Sequence, residues 1–216
     1  MSKYRFCYKE GEEVKFISHL DFLRTAVRIF RRANLPVKYS EGFNPHMVMT
    51  IGLPLSVGTT SVCECLELEL TEEIDTQGAL KDINAVCPRG IEFTGIKKAE
   101  DLKPMHLIDS ALYEASFTTD KNADLEEYIA APEVMIEKKS KRKINEVNIK
   151  DFVREIKLTS TDGTSHRLEM RLNAGNTSNL KPELVLKSIG DFCKVSISDI
   201  HIERKEIYFE DMTKVF

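Results

Sequence analysis

The chain has 216 residues with 31 Lys+Arg, 35 Asp+Glu, five His, five Cys and no Trp, and 42% of it is hydrophobic. Such a composition excludes a disordered chain or a peptide hormone and allows one large domain or two small ones. The net charge of −4 argues against a general nucleic-acid binder, but it hides a gradient. Residues 1–60 carry nine basic against five acidic side chains, residues 61–110 five against eleven, and residues 111–216 seventeen against nineteen. An anionic partner would therefore meet the N-terminal sixty residues. No apolar run is long enough to span a membrane and the first ten residues lack a secretory h-region, so a cytoplasmic protein with no membrane partner is expected. The odd cysteine count, with no disulfide spacing, agrees with reduced thiols.

Tyr4, Phe6 and Tyr8 alternate with Arg5, Cys7 and Lys9, the period of a strand with one buried face. Ser18 followed by Asp21 is a capping signal, and Leu20, Leu23, Val27 and Phe30 then recur at helical spacing, with Ala26 and Ala33 on the same face, until Asn34-Leu35-Pro36. The opposite face carries Arg24, Arg28 and Arg31 in an i, i+4, i+7 row, with Arg32 beside it. Residues 38–46, Lys-Tyr-Ser-Glu-Gly-Phe-Asn-Pro-His, read as a polar loop, 47–53 as a strand and 54–61 as a second loop. In 64–70, Leu66, Leu68 and Leu70 predict a core face and Glu67 and Glu69 a wet one. A helix over 76–86 and a strand over 91–97 complete β-α-β-β-α-β, the order of the split βαβ, or ferredoxin-like, unit.

Residues 100–109 break both periods and read as a connection. Beyond it come a strand at 113–117, a helix over 122–130, a short strand at 134–137, and Lys138 to Arg142-Lys143 as a solvated turn. Strands at 153–160 and 166–172 flank the hairpin signal Asp162-Gly163, Pro182 opens a helix to about Phe192, and strands at 200–202 and 207–209 end the chain. The expected architecture is α+β: two tandem ferredoxin-like domains with antiparallel sheets. Residues 1–105 would carry the basic helix and polar loop, and residues 106–216 an extra strand.

The densest chemistry lies at Ser18, His19 and Asp21, the arginine row, and the loop residues Tyr39, Ser40, Asn44 and His46. A helix N-terminus, hydrogen-bonding loop side chains and forked guanidiniums suit an anion or nucleotide site. The same residues also serve simply as a helix cap, a solvated helix face and a turn. His19 or His46 could act as a general acid or base. No metal-ligand spacing, iron–sulfur triad, phosphate-binding glycine loop or dinucleotide fingerprint occurs, so neither metal nor cofactor is expected. Cys63 and Cys65 share a strand face without a second pair and read as structural.

At Phe16-Ile17-Ser18-His19-Leu20-Asp21, Arg28, Arg31-Arg32, Tyr39-Ser40-Glu41-Gly42-Phe43-Asn44-Pro45-His46 and Leu53-Pro54-Leu55-Ser56-Val57-Gly58, the chain resembles the radical-SAM-linked domain of unknown function. That resemblance implies a bacterial domain fused to, or encoded beside, a radical SAM protein, often near genes of ribosome and RNA metabolism. With no radical SAM portion in this sequence, it implies an accessory module acting in trans. The element order is also similar to that of CRISPR repeat-processing endoribonucleases, which is a likeness of fold alone. The leading expectation is a module binding RNA or a ribosomal component for a radical SAM partner. In it Arg24, Arg28, Arg31 and Arg32 would meet phosphate while Ser18, Asp21, Tyr39, Ser40, Asn44 and His46 form a pocket. Two alternatives stand beside it: a small RNA-processing or transferase enzyme using His19 or His46, and a docking module using the acidic face at Glu67 and Glu69.

Overall fold

The computed structural model describes residues 2–139, 144–175 and 178–216. It is a mixed α+β chain of short helices and mostly antiparallel strands. The chain divides into two compact units, Met1–Ile108 with Ile207–Phe216, and Asp109–Glu206.

In the first unit, β1 (Ser2–Glu10), α1 (His19–Arg32), β2 (Met49–Ile51), β3 (Thr59–Leu70), α2 (Thr76–Val86) and β4 (Ile91–Lys98) follow the predicted order. Strand β1 lies between β4 and β3, antiparallel to both, and β2 pairs antiparallel with β3. Tyr4, Phe6 and Tyr8 enter one core with Phe22, Ala26, Ile29 and Phe30 of α1, the three leucines of β3, Ile83 of α2 and Phe93 of β4. Tyr8 stacks on Phe22 at 4.9 Å between ring centroids, a contact that adds to the area both rings bury.

Two readings of this unit need correction. Ala26, Phe30 and Ala33 are buried as expected, but Phe22 and Ile29 complete the buried stripe, whereas Leu20 is 62% exposed. The helix is rotated from its expected orientation because Phe22 and Ile29 offer more apolar surface to the sheet than Leu20 and Val27. Nor is the second face of the sheet wet. Cys65 is buried with its Sγ 3.7 Å from the Met105 sulfur, and Phe216 packs so closely over Gly95 that an added Cβ would lie 2.7 Å from its ring. Arg5 is fully buried. It donates to Glu67 at 2.6 Å and to the carbonyls of Lys103 and Val215 at 2.6 and 2.8 Å. Glu67 thus completes a part-buried ion pair, with Lys3 at 3.8 Å on its outer side, and Glu69 receives the Lys38 ammonium at 2.7 Å. The acidic face expected to dock a partner is engaged inside the unit.

The second unit is built from β5 (Ile108–Thr119), α3 (Leu125–Ala130), β6 (Met135–Lys139), β7 (Ile144–Asn148), β8 (Val153–Asp162), β9 (Ser165–Asn173), α4 (Pro182–Cys193) and β10 (Ile197–Phe209). Its strand order is β10-β5-β9-β8, and β6 and β7 form a separate antiparallel pair. The Asp162-Gly163 hairpin forms as expected, with Asp162 opposite Ser165 and Gly163 at φ +58°. Strand β7 was not expected. Lys138 and Lys139, read as part of a turn, belong to β6, and residues 140–143 of that basic run lie outside the described residues. The two closing strands are one, β10, because the charged stretch Glu203–Glu206 stays extended. Within it Arg204 is buried and donates to the Tyr113 hydroxyl at 3.2 Å. The last ten residues, expected in the second domain, group with the first unit.

Candidate nucleic-acid interface

Helix α1 starts at Ser18, whose Oγ accepts the Asp21 backbone N–H at 3.2 Å while its hydroxyl donates to the Asp21 carboxylate at 2.7 Å. Arg24 donates to the same carboxylate at 2.9 Å. The Ser18 hydroxyl first, and Arg24 next, hold the Asp21 carboxyl below its ordinary range. Ser18 and Asp21 therefore act as the cap, and Arg24 is tied down by an exposed i, i+3 pair.

With the buried stripe set by Phe22, Ala26, Ile29 and Phe30, helical geometry of 100° per residue points Arg24, Arg28 and Arg31 along the opposite, outward line, and all three are exposed together with Arg32. Their circumstances differ. Arg31 donates its Nε proton to the Tyr39 hydroxyl at 3.1 Å, and its guanidinium lies 5.8 Å from the Tyr39 ring centroid. Among the described residues, Arg28 and Arg32 have neither an ion pair nor a side-chain hydrogen bond. Two guanidiniums thus point outward with their donors unused within the described residues, and a third is oriented by a ring.

The polar loop is a small hairpin. Tyr39 bridges Met47, the Ser40 N–H donates to the His46 carbonyl at 2.8 Å, and the His46 N–H donates to Ser40 Oγ at 3.1 Å. The Ser40 hydroxyl also meets His46 Nδ1 at 2.9 Å, so one imidazole nitrogen is engaged. Met47 is buried and anchors the hairpin, while residues 41–46 are exposed, Asn44 among them.

Ser18, His19 and Asp21 lie at the N-terminal end of α1, and Tyr39 meets Arg31 near its other end. The rise from Ser18 to Arg31 is about 20 Å. The residues expected in one pocket are thus divided between the two ends of the helix. His19 is exposed and lines a narrow crevice with Tyr8, Glu10, Ser18, Phe22 and Pro54, whereas His46 belongs to the hairpin.

The same unit also exposes apolar side chains. Phe16 is 74% exposed, Phe43 is fully exposed at the hairpin tip, and Leu20 and Val57 are more than half exposed. Phe16 and Phe43 stand in the motifs quoted above, and what the sequence alone does not reveal is that folding leaves them outside the core.

A feature of the second unit also escaped the sequence. A cleft of about 340 Å³ is lined by Ser116, Thr118, Ser160, Asp162, His166 and Asp199, among others. His166 is buried, and its Nε2 and Nδ1 meet the hydroxyls of Thr119 and Thr161 at 3.0 and 2.9 Å. Burial pushes its pKa down, so a neutral imidazole holds two strands together. Its place on the inward face with Leu168, Met170 and Leu172 is the one signal in the pattern. Among the described residues no cluster of three or more His, Cys, Asp or Glu could hold a metal ion. No helix among them is long and apolar enough to cross a membrane.

The chain is similar to a chain in the crystal structure of a Cbf5-Nop10-Gar1 complex, with 14% identity over 94% of this chain and 49% of that one, at a TM-score of 0.49. A second likeness, 13% identical over 92% of this chain and 46% of that one, TM-score 0.47, is to a structure of an H/ACA RNP bound to a substrate RNA containing 2'-deoxyuridine. A third is to an unknown protein from Galdieria sulphuraria, 9% identical over 94% and 98% of the two chains, TM-score 0.27. This chain spans about half the length of the first two. No curated protein matches it. Residues 3–182 match the model of a family described as an uncharacterized protein conserved in bacteria (DUF2344), and the chain belongs to that family.

Proposed function

We propose that the first unit binds RNA along the outward line of α1, and that the protein is a binding module whose ligand is processed by a partner enzyme. The observation that carries this reading is the pair of guanidiniums without a partner among the described residues, Arg28 and Arg32, beside an Arg31 already set against Tyr39. Phosphate offers the charge and the bidentate geometry that such a row lacks within its own fold. Each unit is proposed to be ferredoxin-like. The order β4-β1-β3-β2 in the first and β10-β5-β9-β8 in the second, with one helix before and one after the inner hairpin, supports that, β6 and β7 being an insertion in the second. A radical SAM enzyme is the partner implied by the motif resemblance. Co-purification of the two proteins, with and without nuclease, tests that part separately.

The binding claim is tested by fluorescence anisotropy with labelled RNA at several salt concentrations, beside a variant with Arg24, Arg28 and Arg31 all changed to Ala. Loss of three phosphate contacts should lower the slope of log K against log salt by about 2 and weaken binding at low salt. Unchanged affinity and slope in the variant, or no binding by the parent protein at low salt, overturns the reading.

A further inference from the structure

We infer that the RNA held on this face is single-stranded, with unpaired bases stacked on Phe16 and Phe43 at the two ends of the arginine line. The inference rests on the RNA reading above and adds to it the class of ligand and two residues that select it.

Phe43 is fully exposed although phenylalanine is among the residues folding most often buries. Its hairpin holds it out. The Ser40 and His46 hydrogen bonds close the stem, buried Met47 anchors one side, and Gly42 adopts φ +117° with nothing within 4 Å of where its Cβ would be. The ring is presented on a built support with both faces open to a flat partner.

Phe16 is similar at the other end. It sits in a turn closed by the Ile17 N–H donating to the Val14 carbonyl at 3.0 Å, and the Gly58 N–H donates to the Lys15 carbonyl at 2.6 Å. Its ring edge would lie 3.8 Å from a Cβ at Gly58, so it rests against that loop while most of it faces out. The Lys15 ammonium is 5.3 Å from the ring centroid and donates to Glu12 at 2.7 Å, so the ring stands beside a cation already held in an ion pair.

Between these rings run Arg24, Arg28 and Arg31, the last oriented by Tyr39. A line of cations with a stacking ring toward each end is what single-stranded nucleic acid uses, bases on the rings and phosphates on the cations. A duplex would engage the arginines alone, because its bases are already stacked on one another and present no face to Phe16 or Phe43.

The test measures binding of a 12-nucleotide oligouridine, an oligoadenylate of the same length, and the duplex of the two. The proteins are the parent, Phe16→Ala, Phe43→Ala and the double variant, with a thermal melt of each. Both side chains are exposed, so the variants should melt with the parent. The single strands should bind at least tenfold tighter than the duplex. Each Phe→Ala change should weaken single-strand binding about tenfold and leave duplex binding unchanged. A second readout uses the absence of tryptophan from the chain: Phe43→Trp supplies a unique indole whose emission should be quenched as either single strand saturates the protein. Equal binding of strand and duplex, indifference to the Phe changes, or an indole unchanged at saturation overturns this inference. If the triple arginine variant still loses binding in that case, the RNA reading survives it. Absence of binding to all three probes overturns both.

Discussion

Arg5 and Arg28 belong to the same unit and carry the same side chain, yet the fold treats them in opposite ways. Arg5 is fully buried and directs its guanidinium at Glu67 and two backbone carbonyls. Arg28 is exposed and has no partner among the described residues. A buried charge is tolerated only when its donors are matched, so Arg5 is a structural residue whose removal leaves two carbonyls without their donor and Glu67 with only the Lys3 ammonium, 3.8 Å away. An exposed charge contributes little to stability. A row of such charges is therefore available for a ligand, and the first unit keeps its buried, structural arginine and its exposed arginine row on different surfaces.

The comparison breaks first at Arg5. Arg5→Met should destabilise the protein by about 3 kcal/mol in urea denaturation, because two carbonyls lose their donor and the part-buried Glu67 carboxylate keeps only the more distant Lys3 ammonium. Changing Glu67 to Met as well should recover much of the loss, since an apolar pair of similar volume needs no counter-charge. A single variant as stable as the parent would mean that Arg5 is not what secures residues 103 and 215.

The same surface is probed from its other end by Gly95→Ala. The new Cβ would meet the Phe216 ring at 2.7 Å, and overpacking of this kind costs about 1–3 kcal/mol. Adding Phe216→Ala should relieve the clash, at the expense of the Lys97 contact that now lies 4.2 Å from the ring centroid. Failure of the second change to restore any stability would separate the cost from the ring.

Ser18→Ala should cost about 1 kcal/mol, the usual value of a lost helix cap. It should also return the Asp21 carboxyl toward its ordinary pKa, since the Ser18 hydroxyl is the first cause of its depression. Affinity for RNA should change little if Ser18 is a cap alone. A large loss of affinity with an intact helix would move Ser18 into the binding surface.

The second unit offers a pH test. Burial lowers the His166 pKa from its ordinary 6.5, so between the folded and unfolded values the unfolded chain binds more protons. The stability held by the neutral imidazole is therefore complete above about pH 6.5 and declines as the pH falls toward the folded-state pKa. His166→Gln, which keeps a donor and an acceptor between Thr119 and Thr161, should flatten that part of the pH–stability curve. An unchanged curve would assign the acid sensitivity elsewhere.

Much of the fold was legible because local rules decided it. Alternation placed Tyr4, Phe6 and Tyr8 in the core, α2 occupies the predicted 76–86, and Asp162-Gly163 makes its hairpin. What escaped was set by contacts distant in sequence. Arg5 looked solvent-facing because Glu67, Lys103 and Val215 lie 62, 98 and 210 residues away. β10 looked like two strands because the Tyr113 hydroxyl that receives Arg204 is 91 residues away. The arginine line could be read from spacing alone. The division of the polar residues between the two ends of α1 could not, because nothing local says that a loop beginning at Tyr39 folds back on Arg31.

The smallest expected effect on stability sharpens the comparison most. Changing Arg28 and Arg32 together to Ala should alter the unfolding free energy by no more than about 0.5 kcal/mol, since surface substitutions without partners rarely do more. Arg31→Ala should cost slightly more, because it releases the Tyr39 hydroxyl and ring. Binding should rank the other way. Arg28 and Arg32 need break no protein contact to take up phosphate, whereas Arg24 must leave Asp21. In a salt titration, the Arg28/Arg32 pair should therefore lose more affinity than Arg24→Ala at every ionic strength. Equal losses would mean that the Asp21 pair dissolves freely on binding, and that the line acts as diffuse charge, with no set of individually placed contacts.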